Sequence, residues 1–113
     1  MSVAFTRWPD DLAARYRAAG YWNDQPMTEM LARQCRERPD APAVLCGERE
    51  ISYAELDRRS GNLAAWLLAR GVARHDTALV QLPNVAEFYI ALFALFKIGA
   101  APVNALFSHQ KLE

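Results

Sequence analysis

Apolar positions recur at three- and four-residue spacing along much of the chain, most densely between Gln81 and Ser108. Val85, Phe88, Tyr89, Leu92, Phe93 and Phe96 form a stripe, and Ile90, Leu95 and Ile98 widen it until most of the helix circumference is apolar. A helix of that kind needs cover on several sides. Asn84, with Glu87 three residues on, predicts its start, since the side-chain oxygen can accept an orphan backbone N–H and the carboxylate suits the positive helix end. Gly99 predicts its stop. Residues 77–82 before it and 101–104 after it read as strands, which predicts a right-handed parallel strand–helix–strand crossover. The first of these strands is apolar enough to lie near the middle of a sheet, covered on both faces.

Upstream, Ser52-Tyr53-Ala54-Glu55 is a capping box, and it predicts a helix over 53–69 ended by Gly71. Its core face is Leu56, Leu63, Ala64 and Leu67, with Arg58, Arg59 and Arg70 pointing elsewhere, and residues 72–76 form a polar connection. Residues 43–46 are a short apolar run, 47–49 a turn and 50–52 a return strand. Thr28 predicts the cap of a helix over 29–38, with Met30, Leu31, Gln34 and Cys35 near one face and Pro39 as its stop. Asp10 and Asp11 open a helix over 10–19 ended by Gly20, and residues 1–9 read as an arm that lays Phe5 and Trp8 against the body. At the other end Ser108 reads as an N-cap, with 109–113 as the first turn of a further helix. The alternation of strands and helices predicts an α/β layered fold with a largely parallel sheet and crossover helices. It forms one unit, with an arm and first helix over 1–26 and the α/β portion over 27–113.

Composition narrows the partners. The 113 residues are 52% hydrophobic and carry thirteen basic and thirteen acidic side chains, so the chain is formally neutral. Neutrality without a Lys/Arg block argues against nucleic acid, whose binding draws on phosphate neutralisation. The longest apolar run, 88–96, has nine residues, against about 20 for a membrane span. Arg7 and Asp10 lie where a signal peptide would be apolar, so a cytoplasmic protein with no membrane role is expected. Cys35 and Cys46 have neither metal-ligand spacing nor a disulfide framework around them and read as buried or incidental thiols.

Reactive constellations are sparse. The glycines at 20, 47, 61, 71 and 99 are isolated and build no phosphate loop. His75 and His109 fall in polar connections or caps, and Lys97 sits where a cation complements the helix dipole. Asp10 and Asp11 are explained by a helix start, and Glu48 and Glu50 by a solvated hairpin. No catalytic, cofactor-binding or metal-binding residue is assigned.

Two passages nevertheless carry a likeness. Ile51-Ser52-Tyr53-Ala54-Glu55-Leu56 resembles the first core motif of the adenylate-forming enzymes, and the run from Phe96 to Asn104 (Phe-Lys-Ile-Gly-Ala-Ala-Pro-Val-Asn) resembles the second. Phe5-Thr6-Arg7-Trp8-Pro9, Gly20-Tyr21-Trp22, Asn84-Val85-Ala86-Glu87 and the residues from Ala105 to Gln110 bring the chain nearest to the aryl acid-AMP ligases of siderophore synthesis, especially those that use 2,3-dihydroxybenzoate. The resemblance implies an N-terminal portion of a larger enzyme. Such enzymes use ATP and Mg2+ to turn 2,3-dihydroxybenzoate or salicylate into an acyl-adenylate, and pass the acyl group to the phosphopantetheine thiol of an aryl carrier protein. It also implies that the phosphate loop, the aryl pocket and the catalytic lysine lie outside these residues, that both motifs present are chiefly architectural, and that this chain alone is inactive and binds neither ATP nor Mg2+. Another acyl-CoA synthetase, an amino-acid adenylation domain and a non-catalytic α/β interaction domain are the alternatives. An apolar helix built for cover predicts that the chain by itself self-associates.

Overall fold

A computed structural model describes residues 6–108. The elements in chain order are α1 (Asp10–Ala18), α2 (Met27–Glu37), β1 (Pro42–Cys46), β2 (Arg49–Ser52), α3 (Tyr53–Leu68), β3 (Thr77–Val80), α4 (Ala86–Ile98) and β4 (Ala101–Asn104). The chain is α/β, and the crossover is present: β3 and β4 are parallel neighbours joined through α4, with Leu79 opposite Val103 and Val80 opposite Asn104. The other pair, β1 with β2, is an antiparallel hairpin in which Leu45 faces Glu50 and Cys46 faces Arg49. Among the described residues the strands therefore form two separate two-stranded ribbons, one parallel and one not, rather than a single largely parallel sheet.

The ribbons are held together by α3 and α4. On α3 the buried residues are Leu56, Ser60 and Ala64, and on α4 they include Ala86, Ile90, Ala94 and Ile98. Both sets repeat every four residues, the spacing that lets the ridges of one helix enter the grooves of another. Small side chains at the crossing, with Ser60 and Ala94 wholly buried, let the backbones come close. Ser60 avoids an unpaired hydroxyl by donating to the Leu56 carbonyl 2.7 Å away on its own helix. Two cores result. One gathers Leu31, Val44, Ile51, Leu56, Ala86 and Ile90 under the hairpin; the other gathers Ala64, Val80, Ala94, Leu95, Ile98 and Ala100 under the parallel pair.

The helix ends show which local signals were sufficient. Ser52 Oγ accepts the Glu55 N–H at 3.2 Å, as the capping box predicts. Gly99 takes the left-handed conformation at φ 81°, and the next N–H, that of Ala100, returns to the Leu95 carbonyl at 3.0 Å. Two expected caps are corrected. The N-cap of α2 is Pro26 and not Thr28: the Glu29 N–H bonds to the Pro26 carbonyl, so the helix begins at Met27 and Thr28 is already its second residue. The N-cap of α4 is Val85 and not Asn84, because the Val85 N–H closes a tight turn onto the Pro83 carbonyl at 2.8 Å and leaves Asn84 one position too early.

The stripe on α4 is corrected too. The positions most shielded are Ala86, Ala94 and Leu95, then Ile90 and Ile98, whereas Phe88, Leu92, Phe93 and Phe96 are half-buried and Tyr89 is 48% exposed. A close helix crossing selects small residues, which pushes the rings to its flanks. Nor is β3 covered on both faces, since Leu79 is 68% exposed and its partner Val103 is 47% exposed. The helices α3 and α4 lie over the other face only, where Val80 is buried.

The N-terminal arm is organised differently from expectation. Phe5 lies outside the described residues, as do the residues of the expected helical turn after Ser108. Trp8 packs edge-on to Tyr16 and Trp22 at centroid distances of 6.0 and 5.7 Å, and Arg17 lies 5.4 Å over the Trp22 ring. This cluster is local to α1 and its flanks. No residue of α1 is buried and none joins either core. The radius of gyration is accordingly 16.5 Å, against about 13 Å for a compact domain of 100 residues.

Two substitutions test these ends. Ser52→Ala removes the acceptor for the Glu55 N–H and should cost about 1 kcal/mol in chemical denaturation; an unchanged midpoint would count against the cap. Gly99→Ala forces a Cβ into the left-handed region, 3.0 Å from Arg74 Cγ, and should cost about 1–2 kcal/mol in the same assay.

Candidate functional site

In open parallel α/β sheets, ligands gather outside the carboxyl ends of the strands. Here that edge is formed by the residues after β3 and β4. The Ala105 N–H reaches the Val80 carbonyl at 3.0 Å, and Gln81 Nε2 donates to the Leu106 carbonyl at 3.0 Å, so the two chain segments stay side by side past the end of the ladder. Beside β3, on the side away from β4, lies an open groove of about 500 Å³. Leu63 and Leu67 come from α3, Ala91 and Leu95 from α4, and Leu79 and Leu82 from the strand and its exit. No lining residue is charged. Such a surface can take apolar groups and offers nothing to balance a phosphate or a carboxylate.

The charged groups are placed elsewhere. Lys97, expected to complement the α4 dipole, is in the last turn of that helix but spans to α3, where its Nζ donates to both the carbonyl and Oδ1 of Asp57 at 2.7 Å. Gly61 lies alongside, and a Cβ there would stand 3.6 Å from the ammonium. The 40-residue separation between Asp57 and Lys97 leaves no local sequence signal for this pair. Only the absence of a side chain at Gly61, mid-helix, hints at something passing close by. At the other end of α4, Arg49 of the hairpin donates to Glu87 at 2.6 Å. That hydrogen bond holds the Glu87 carboxyl below its ordinary value and raises Arg49. The Glu55 carboxylate is turned to Arg59 and Arg58 on its own helix.

The remaining residues singled out by sequence do not converge. His75 is exposed in the left-handed region at φ 71°, its N–H bonded to the Gly99 carbonyl at 2.9 Å, and His109 lies outside the described residues. Cys35 and Cys46 are half-buried and free. The Cys35 thiol donates to the Tyr53 carbonyl at 3.3 Å, and burial pushes its pKa up, which disfavours the reactive thiolate. Asp10 and Asp11 stand in the first turn of α1. Among the described residues no three His, Cys, Asp or Glu side chains stand together as a metal site would require, and no helix is long and apolar enough to cross a membrane. Gly20, Gly47, Gly71 and Gly99 all occupy positive-φ turns, which accounts for them without a phosphate.

Comparison with known proteins supplies what the geometry does not. A family model described as "AMP-binding enzyme" matches residues 31–113. Pseudomonine synthase PmsE of Pseudomonas entomophila is 59% identical over 113 residues, which are 100% of this chain and 18% of that protein. The 2,3-dihydroxybenzoate-AMP ligase of Bacillus subtilis is 42% identical over 113 residues, 100% of this chain and 21% of that protein. Among solved structures, apo MbtA of Mycobacterium smegmatis matches with a TM-score of 0.88 at 45% identity, over 94% of this chain and 20% of that one. The chain thus spans about a fifth of the length of the relatives it matches.

The Arg49–Glu87 pair predicts a pH dependence. Because the folded-state pKa of Glu87 lies below the ordinary 4.5, its stabilisation is present above that value and is lost as the pH falls through the lowered one. Glu87→Gln should flatten the acid limb of a Tm-versus-pH profile between those two values while leaving its shape near neutrality; an unaltered acid limb would remove the pair from the account.

Proposed function

The chain belongs to the AMP-binding enzyme family, and on that footing we propose that it is the N-terminal part of the large domain of an aryl acid-AMP ligase. The whole enzyme activates 2,3-dihydroxybenzoate or salicylate with ATP and Mg2+, giving the acyl-adenylate and pyrophosphate. It then passes the acyl group to the phosphopantetheine thiol of an aryl carrier protein in siderophore biosynthesis, in the cytoplasm. The observation that carries this reading is the end-to-end identity, without loss of any segment of the chain, to a relative named for 2,3-dihydroxybenzoate-AMP ligation.

The residues described do not fit ATP or its metal. The groove beside β3 is lined without charge, the positive-φ glycines serve turns, and Lys97 is committed to Asp57. No described residue is therefore expected to take part in a chemical step or to hold nucleotide or metal. The chain's part is architectural: the capping serine, the α3–α4 crossing and the Gly99 turn set the first strands of the domain. In the relatives, charge stabilisation at the α-phosphorus must come from groups in the other four fifths of the length.

The test is ATP–pyrophosphate exchange with 2,3-dihydroxybenzoate, salicylate and a fatty acid, run on the 113-residue chain and on the product of its complete reading frame. Exchange by the longer product with an aryl acid, and none by the 113 residues, is expected. Exchange with the fatty acid alone would replace the substrate, and a frame that stops at Glu113 and shows no exchange would leave a non-catalytic interaction domain.

A further inference from the structure

We propose that residues 6–26 are an accessory unit that folds and unfolds by itself, tethered to an α/β body that begins at α2. The helix α1 has nine residues, and isolated helices shorter than about 12 are marginal in water. It buries no residue and joins neither core, so packing on the body does not account for it. What holds it is a clamp made by its own flanks. The chain turns back at Gly20, in the left-handed region at φ 77°, and the Tyr21 and Trp22 N–H groups both return to the Tyr16 carbonyl, at 3.0 and 3.3 Å. That return sets the Trp22 ring 5.4 Å from Tyr16 and 5.7 Å from Trp8, which precedes the helix. Trp8 closes the triangle at 6.0 Å from Tyr16. Rings from before, within and after the helix thus meet at separations where aromatic pairs attract beyond their area burial.

Charge closes the same loop. Asp10 and Asp11 in the first turn and Arg15 and Arg17 in the last complement the helix dipole. Arg17 also lies over the Trp22 ring and pairs with Asp24 at 3.3 Å. Among the described residues, every ring contact, ion pair and side-chain hydrogen bond of residues 6–25 is made to another of those residues. The boundary has a counterpart among similar proteins. The matching family model starts at residue 31. The N-terminal subdomain of Klebsiella oxytoca NpsA covers 78% of this chain, with a TM-score of 0.74 at 26% identity. The O-succinylbenzoate coenzyme A synthetase MenE of Bacillus subtilis covers 76%, with a TM-score of 0.69 at 29% identity. The 87 residues from 27 to 113 make up about 77% of the chain. MbtA covers 94%, a share too large to leave the first 26 residues out. The body thus matches both a structure that includes these residues and structures whose match falls short by about their length.

The experiment is residue-resolved amide hydrogen exchange on the 113-residue chain and on two variants, because separately folding units open separately. In the parent, amides of residues 13–22 should exchange at least tenfold more slowly than in a free peptide chain. Trp22→Ala breaks the clamp and should erase that protection, while amides of residues 57–68 in α3 change less than twofold. Leu31→Ala opens the core under the hairpin. It should speed exchange in α3 at least tenfold, or unfold the body outright, while residues 13–22 keep their parent rates within twofold. An effect that crosses, from the clamp to α3 or from the core to α1, would overturn the proposal, and so would a parent without protection at residues 13–22. If the α/β body of the isolated chain does not fold, the same two variants are made in the product of the complete reading frame and judged by the same outcomes. No readout involves adenylation, so failure of this proposal and failure of the enzymatic reading are separable.

Discussion

Close approach of two helices is the constraint on which the structure depends. The four-residue repeats on α3 and α4 meet through Ser60, Ala64, Ala86 and Ala94, residues small enough to bring backbones together. Everything else is hung from that crossing. The hairpin is tied to one end by Ile51, Val44 and the Arg49–Glu87 bond. The parallel pair is tied to the other by Val80, Ile98 and Ala100. Lys97 bridges the two helices directly through Asp57, with Gly61 leaving room for it. A larger residue at Ala94 would have to displace a helix rather than fill a void, since packed interiors accept little added volume.

Placing small residues in the crossing has a cost elsewhere. The rings of α4 are moved to its flanks, where Phe88, Phe93 and Phe96 are only half-covered, and the outer face of β3 and β4 is left apolar and open. The chain spans about a fifth of its relatives' length. The α1 cluster of Trp8, Tyr16 and Trp22 is a separate satellite, stabilised by ring edges and by Arg17 rather than by burial in either core.

What the comparisons establish is the family, not chemistry on display. A family match over residues 31–113 and end-to-end relatives fix the family, while the described residues hold an apolar groove, two half-buried thiols and ion pairs already satisfied. The capping serine and the Gly99 turn are set by local backbone hydrogen bonding and need no ligand to account for them.

What the sequence alone determined is what depends on neighbours a few residues apart. The Ser52 cap, the Gly99 turn, the hairpin around Gly47 and the strand–helix–strand order were all legible, because each is set by local hydrogen bonding or by backbone freedom. The same reasoning misplaced the caps at Thr28 and Asn84, where a proline one or two residues earlier set the entry of the chain into the helix. Tertiary structure alone decided which side of α4 is buried, that Lys97 pairs with Asp57, and that the strands divide into two ribbons. Periodicity marks an apolar helix without saying which residues a partner will press against; that is settled by the size of side chains on another element, 40 residues away in the case of Lys97 and Asp57.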